Sequence, residues 1–315
     1  MTEEHEKTFA PLVQKYRPTN FDEVIGQESA VKSLKALFER DKGALPHGFF
    51  FYGPYGVGKS TIGFIIRKLL ECHDQDFIFY DAAKLSGKDA IIEAVSRCNF
   101  RPLGGPTKVY LIDECHNMSK KAQETLLTSV EHPPSHAYFI FCTTEPEKMI
   151  PTIRSRCMEF KLRHVDRRKL FTYLQELCKK EGVGDYPEKV LKQIAHCAEG
   201  SVRNAVKMLD QVIDIEDDDE AFEAVAEASL GSSEVKELCQ LLMSSGTRWD
   251  QIAKVFKGID EEPEKIRYAL LGYFGAVLLN KGDQRICDMI TVLSEPCMYS
   301  GRGGLTGLLY LAHKA

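Results

Sequence analysis

The stretch from Phe49 to Ile66 constrains this chain more than any other. Four aromatic residues, Phe49-Phe50-Phe51-Tyr52, run into Gly53-Pro54-Tyr55-Gly56-Val57-Gly58-Lys59-Ser60-Thr61, and an apolar run with helical period follows. The spacing G-x-x-x-x-G-K-[ST] between a strand and a helix suits the capture of a phosphate chain. Glycines let backbone N–H groups curl round an anion, because no Cβ blocks the approach or the positive φ angles. The following helix adds its N-terminal partial charge and unpaired donors. The residues expected to hold a nucleotide here are Gly53, Gly56, Val57, Gly58, Lys59, Ser60 and Thr61. Lys59 would place a charge on the β- and γ-phosphates, and Ser60 a hydroxyl on Mg²⁺. The competing reading is a glycine-rich turn with no ligand.

A second stretch favours the ligand. Lys108-Val109-Tyr110-Leu111-Ile112-Asp113-Glu114-Cys115-His116 is a β-branched and aliphatic run ending in adjacent carboxylates. A strand buried on both faces of a parallel sheet reads this way. Asp113 can hold magnesium, directly or through water. Glu114 can polarise an attacking water, the general-base role in phosphoryl transfer. The alternative for the pair is a solvated strand end.

At 315 residues the chain should form about two or three domains. Its net charge of −5 argues against indiscriminate coating of nucleic acid, though not against a local basic surface. No apolar run is long enough to span a bilayer, and the N-terminus does not read as a signal peptide, so a cytoplasmic protein is expected, in a host cytoplasm if a phage encodes it. The ten cysteines are scattered, which suits reduced thiols used as small apolar residues. Cys72-His73 and Cys115-His116 lack the spacing of zinc ligands, and no zinc is expected.

In chain order, Glu3, Glu4, His5 and Glu6 are expected in a mobile arm. Pro18 pushes Arg17 out of the α region, which predicts an extended segment there. Tyr16, Val24 and Ile25 could form an apolar pocket for a purine, or a plain strap on the core. The period of Val31, Leu34, Leu37 and Phe38 predicts a helix over Glu28 to Glu39, and Lys42 to His47 is the turn after it. Phe77–Asp81 reads as a strand, Ala90–Val95 as a helix, Lys120–Val130 as a helix capped by Ser119, and Ala137–Cys142 as a buried strand ending at Thr143-Thr144. Strands alternating with helices predict a parallel α/β sheet, with function at the carboxyl ends of its strands. From about Asp166 the pattern becomes helical. Glu188–Cys197 is one helix, and Ser201 caps the next. The acidic stretch Asp214 to Glu220 reads as a boundary or a solvated loop without a partner. Ile266, Leu270, Leu271, Phe274, Val277 and Leu278 make a nearly all-apolar helix that should be buried, in its own domain or between subunits.

These motifs together resemble an ATPase subunit of the sliding-clamp loaders, within the AAA+ superfamily. The similarity is to the gamma/tau subunit of bacterial DNA polymerase III and to the small subunits of replication factor C. Its carriers are Lys15 to Pro18, Phe21 to Gln27, Gly53 to Ser60, Val109 to His116, Thr143 to Pro146, Ser155-Arg156-Cys157 and Gly200 to Ala205, spanning Lys15 to Gln211. The resemblance implies an AAA+ P-loop domain over 1–162, a helical lid over 163–229 and a helical collar over 230–315. It implies ATP and Mg²⁺ as ligands. It also implies partners: a sliding clamp, the backbone of primer–template DNA, and other subunits of a pentamer. Tyr16, Arg17, Val24 and Ile25 resemble the adenine-side segment. Thr143 resembles sensor 1, Arg203 resembles sensor 2 from the lid, and Arg156 resembles the arginine finger that acts on a neighbour's ATP. The alternative for Arg156 is a surface ion pair. Relatives grip DNA at helix N-termini, which by position would use Lys88, Ser119 and Lys120.

The chain also departs from the pattern. Tyr55 stands where relatives commonly carry a small or basic residue. Cys72 and Cys98 are the only cysteines between the glycine loop and the Asp113-Glu114 strand, so the zinc insertion of gamma/tau proteins is expected to be absent. A different AAA+ DNA machine, such as a branch-migration motor or helicase-loading factor, is the second reading, and a silent scaffolding subunit the third. A DExH helicase fits poorly with Ser155-Arg156-Cys157 and the Gly-Ser-Val-Arg segment.

Overall fold

The structure, a computed structural model, describes residues 11–40, 44–83, 95, 97–184, 186–228, 233–244 and 246–315. The N-terminal arm, Lys42-Gly43, Lys88 with its neighbours Ser86 and Gly87, and the expected Ala90–Val95 helix apart from Val95 lie outside these residues. The chain divides into two compact units, Met1–Tyr173 with Gly200–Asn204, and Leu174–Glu199 with Ala205–Ala315.

The first unit is built on five parallel strands: β1 (Gly48–Tyr52), β2 (Phe77–Asp81), β3 (Lys108–Asp113), β4 (Ala137–Thr143) and β5 (Met158–Lys161), in the order β2-β3-β4-β1-β5. All seven residues of β4 are buried, as are the first five of β3, which explains runs without polar alternation. Successive side chains still serve opposite faces. Phe49, Phe51, Val109, Leu111 and Ile140 pack with Leu34 and Leu37 of the helix Glu28–Phe38 and with Ile62 and Ile66 of the helix Lys59–Leu69. Phe50, Tyr110, Ile112, Phe139 and Phe141 pack with Ala122, Leu126 and Val130 of the helix Lys120–Glu131. Each phenylalanine so enclosed is worth about 1.5–3 kcal/mol relative to exposure.

One edge departs from the sequence reading. β5 is a strand the pattern did not signal. Only Phe160 of its four residues is buried. The short helix Pro151–Arg154 precedes it, and Arg154 bonds Glu159 through Nε at 2.9 Å and Nη2 at 3.1 Å.

The second unit is helical. Its core gathers Leu238, Leu242, Ile252, Phe256, Ile266, Leu270, Phe274, Val277, Met289, Leu293, Leu305 and Leu309. The apolar helix Pro263–Lys281 supplies the centre of that core, with Leu271 and Leu278 packed at its margin. The acidic stretch corrects an expectation. Its second half opens the helix Asp218–Ala228, and the Asp217 carboxylate accepts the Asp219 and Glu220 amides, both at 2.9 Å. It also has a partner, Lys189, whose Nζ lies 2.6 Å from Asp219 Oδ1. Carboxylates in a first helical turn are stabilised by the helix dipole, so the charges are spent on a helix start rather than left in a loop. No disulfide joins the ten cysteines, and seven of them are buried. No helix among the described residues is long and apolar enough to cross a membrane.

Candidate nucleotide site

The register of the sheet sets the site. Tyr52 pairs with Thr143 and Ile112 with Phe141, so β1, β3 and β4 end side by side. The glycine loop leaves β1, and its helix starts at Lys59. Gly53 has φ +146°, and a Cβ there would stand 2.3 Å from the Leu162 carbonyl oxygen. Any other residue would push the loop off the strand beside it. At Gly58 the backbone alone makes the demand, with φ +102° and open space where a Cβ would be. A loop with left-handed glycines, opening on the N-terminus of an eleven-residue helix, presents its N–H groups outward as an anion cradle.

Lys59 is buried, and its Nζ donates to the carbonyls of Gly53 at 2.9 Å and Pro54 at 2.8 Å. Burial pushes its ammonium below its ordinary value, against the pull of Glu114, Cys142 and Asp113. Ser60 is buried beside it, and Thr61 is half-buried. The Asp113 carboxylate accepts the Glu114 amide at 3.1 Å. Glu114 itself has φ 47°. Glu71 and Glu199 are the other described non-glycine residues in this region, and both follow a helix end. Glu114 alone stands at a strand end, where a sterically costly backbone turn re-aims its side chain. Thr143 is fully buried, and its Oγ1 accepts the Glu145 amide at 3.0 Å. Thr144 donates its hydroxyl to Glu114 Oε2 at 3.4 Å.

Arg203 reaches the same loop. Its amide donates to the Gly56 carbonyl at 3.2 Å, and its Nη1 donates to the Tyr55 hydroxyl at 2.7 Å. Ser201, buried beneath it, accepts the Asn204 amide at 3.2 Å, the cap expected of it. The Arg17 guanidinium lies over the Phe64 ring, 4.1 Å from its centroid. Loss of water lowers its proton affinity and the charge of Arg203 lowers it further, while Asp113 opposes both. The charges of Arg203 and Asp113 act on both Arg17 and Lys59, and that of Glu114 acts on Lys59, so these groups share one neighbourhood. That is a fit for a polyphosphate carrying a hard divalent cation. Ser60 and Asp113 could offer oxygen donors to such a cation. Among the described residues no cluster of three or more His, Cys, Asp or Glu could hold a metal ion. Magnesium bound mainly by phosphates and water does not need one.

Other sequence candidates lie apart from this group or at its margin. Tyr16, Val24 and Ile25 are half-buried, with Val24 packed on the core and the Tyr16 carbonyl accepting from the Tyr173 hydroxyl at 3.4 Å. Arg156 pairs with Glu131 at 2.7 Å and donates to the Thr152 carbonyl at 3.4 Å. Ser119 caps its helix by accepting the Ala122 amide at 3.3 Å, and Lys120 is exposed. Three side chains at the site were given no role there from the sequence: His116, Thr144 and Glu145. All three sit inside motifs already noticed, one or two residues after Glu114 or Thr143.

The family described as DNA polymerase III, delta subunit, matches residues 74–166. DNA polymerase III subunit gamma of Buchnera aphidicola is 35% identical over 223 residues, covering 64% of this chain and 61% of that one. Subunit tau of Escherichia coli is 31% identical over 246 residues, covering 71% of this chain and 38% of that one. The chain thus spans less than two thirds of the length of the curated relatives it matches. Among solved structures, the RuvB Holliday junction branch migration motor of Thermotoga maritima superposes with a TM-score of 0.56 at 20% identity, over 84% of this chain and 88% of that one. That likeness speaks to the fold alone. In sequence the chain is thus similar to the gamma and tau subunits of bacterial DNA polymerase III, and in fold to the RuvB motor.

Proposed function

We propose that the chain is an ATPase subunit of a sliding-clamp loader, which uses ATP binding and hydrolysis to open a clamp and place it on primer–template DNA. The observation that carries the ATPase part is the meeting of Lys59, Asp113, Glu114, Thr143 and Arg203 around one glycine loop. The similarity to gamma and tau subunits supports the clamp-loading part.

Lys59 leaves the Gly53 and Pro54 carbonyls for the β- and γ-phosphates. Ser60 and Asp113 hold magnesium, which when bound neutralises charge on the transferring oxygens. Glu114 orients and polarises the attacking water. Thr143 and Arg203 contact the γ-phosphate from two sides, and Tyr16, Arg17, Val24 and Ile25 line the adenine side. Arg156 leaves Glu131 to complete the site of a neighbouring subunit, which ties hydrolysis to assembly. The helices over 163–229 act as a lid and those over 230–315 as a collar in a pentamer. Lys88, Ser119 and Lys120 are the candidates for binding the DNA backbone, Lys88 from sequence position alone. The protein acts in the cytoplasm, or in a host's cytoplasm if phage-encoded.

The test is steady-state ATP hydrolysis by the pure protein, with and without primer–template DNA and the cognate clamp. Stimulation by both together is expected. Turnover that never responds to a clamp would instead favour another AAA+ machine, and absence of nucleotide binding a scaffolding subunit.

A further inference from the structure

His116 is used by none of these roles, yet it sits at their centre. It lies on the single turn Cys115–Asn117, directly after the left-handed Glu114. Its side chain is 10% exposed. Nδ1 stands 3.0 Å from Thr143 Oγ1 and 3.4 Å from Glu114 Oε2, while Nε2 stands 3.2 Å from Glu145 Oε1. Glu145 is fixed in turn by Lys148 at 2.7 Å and by its own amide on Thr143 Oγ1. One ring therefore touches the hydroxyl at the end of β4 and the carboxylate just beyond β3.

We propose that His116 is a positioning residue that couples Thr143 to Glu114. The inference rests on the ATPase reading of the site. A neutral imidazole has one N–H and one lone pair, so it can donate to only one side. With its hydrogen on Nε2 it donates to Glu145 and accepts the Thr143 hydroxyl at Nδ1. Glu114 then receives a hydrogen only from Thr144. With its hydrogen on Nδ1 it serves Thr143 or Glu114, and Glu145 loses its donor. A Thr143 hydroxyl that turns to a phosphate oxygen stops donating to Nδ1, and this changes what the ring can offer Glu114. The carboxylate that polarises water thus senses whether Thr143 has engaged a γ-phosphate. No atom of the ring needs to reach the nucleotide.

The experiment compares His116→Ala, His116→Asn, Thr143→Val and the His116→Ala/Thr143→Val double variant in the full chain, with clamp and primer–template DNA present. The readouts are kcat and the affinity for a fluorescent, non-hydrolysable ATP analogue. His116→Ala is expected to lower kcat on the order of a hundredfold, as misplacement of a reacting group does, with affinity for the analogue within about twofold of wild type. Retained affinity also reports a folded site. Asn, whose amide reaches the position of Nδ1, should recover most of the loss. The double variant should be no slower than the slower single variant, because the two residues act through one link. Wild-type turnover retained in His116→Ala, or losses that multiply in the double variant, would overturn the coupling alone. A wild-type protein that binds no ATP would overturn the ATPase reading, and the coupling with it.

Discussion

Each unit of the molecule buries a cation, and the two are treated differently. In the helical unit Arg267 is 3% exposed and fully served: Nε and Nη2 bond Glu264 Oε2 at 3.0 and 2.7 Å, and Nη1 bonds the Leu293 carbonyl at 2.9 Å. The other Glu264 oxygen accepts the Cys297 amide, so one ion pair ties the helix Pro263–Lys281 to the chain after Leu293. In the sheet unit Lys59 is 6% exposed, and its hydrogen bonds go to two neutral carbonyls. The guanidinium is raised by its carboxylate, and the ammonium is lowered by burial. A buried charge with a bonded counter-ion is structural. A buried charge answered by carbonyls keeps its appetite for an anion. Carbonyls alone do not mark a site, since Lys108 also donates to two of them, from Arg97 and Phe100. What sets Lys59 apart is the glycine loop around it.

The comparison breaks most directly at Lys59. Lys59→Ala should abolish tight ATP binding while the protein stays folded, measured by titration with a fluorescent nucleotide and by circular dichroism. Unchanged affinity would mean that the ammonium is structural like Arg267. Next in size is Arg156. Arg156→Ala should leave nucleotide affinity alone and slow hydrolysis in the assembly by about a thousandfold or more. A normal rate would leave the Glu131 pair as the whole role of Arg156.

What the sequence disclosed about this contrast was uneven, for physical reasons. The glycine loop and both carboxylates were legible because a strand, a turn and a helix adjoin in the chain, and each has its own period. β4 was legible from its unbroken apolar run. β5 was not: four residues with one buried side chain carry no alternation to count. The His116 cluster was not legible either. It depends on the pairing that sets β4 beside β3, which brings together residues 27 apart in the chain. The Arg156–Glu131 pair likewise needs tertiary packing, here of the helix Lys120–Glu131 against the short helix Pro151–Arg154. The sequence allowed a surface ion pair but could not name its partner. Arg267 and Glu264 drew no notice, because a pair three residues apart on a helix reads as solvated until packing encloses it.

Within the helical unit the balance between apolar burial and charge can be sharpened. Phe274 is completely buried at the centre of the core. Phe274→Ala should cost about 3–5 kcal/mol of stability in denaturant unfolding, the range for emptying an aromatic core site. Nucleotide affinity measured below the unfolding transition should change little, because Phe274 lies in the unit that does not carry Lys59. A small loss of stability would shift the weight of that unit from its core to its ion pair.

The weight of the ion pair is read by acid. The Arg267 guanidinium, with help from the Cys297 amide, depresses the Glu264 carboxyl from its ordinary 4.5 to about 2. A carboxyl lowered on folding stabilises the native state above its unfolded value. That contribution falls away as pH drops from about 4.5 toward 2. Unfolding midpoints of the wild type should therefore fall across this window. In Glu264→Gln, which keeps the shape but removes the titrating group, the midpoint should be lower at neutral pH and the fall shallower. The fall shared by both proteins comes from other carboxylates, and only the difference belongs to Glu264. Parallel curves for the two proteins would mean that Arg267 is held by the Leu293 carbonyl and its packing rather than by charge. The two buried cations would then differ in what they bind, and no longer in what holds them.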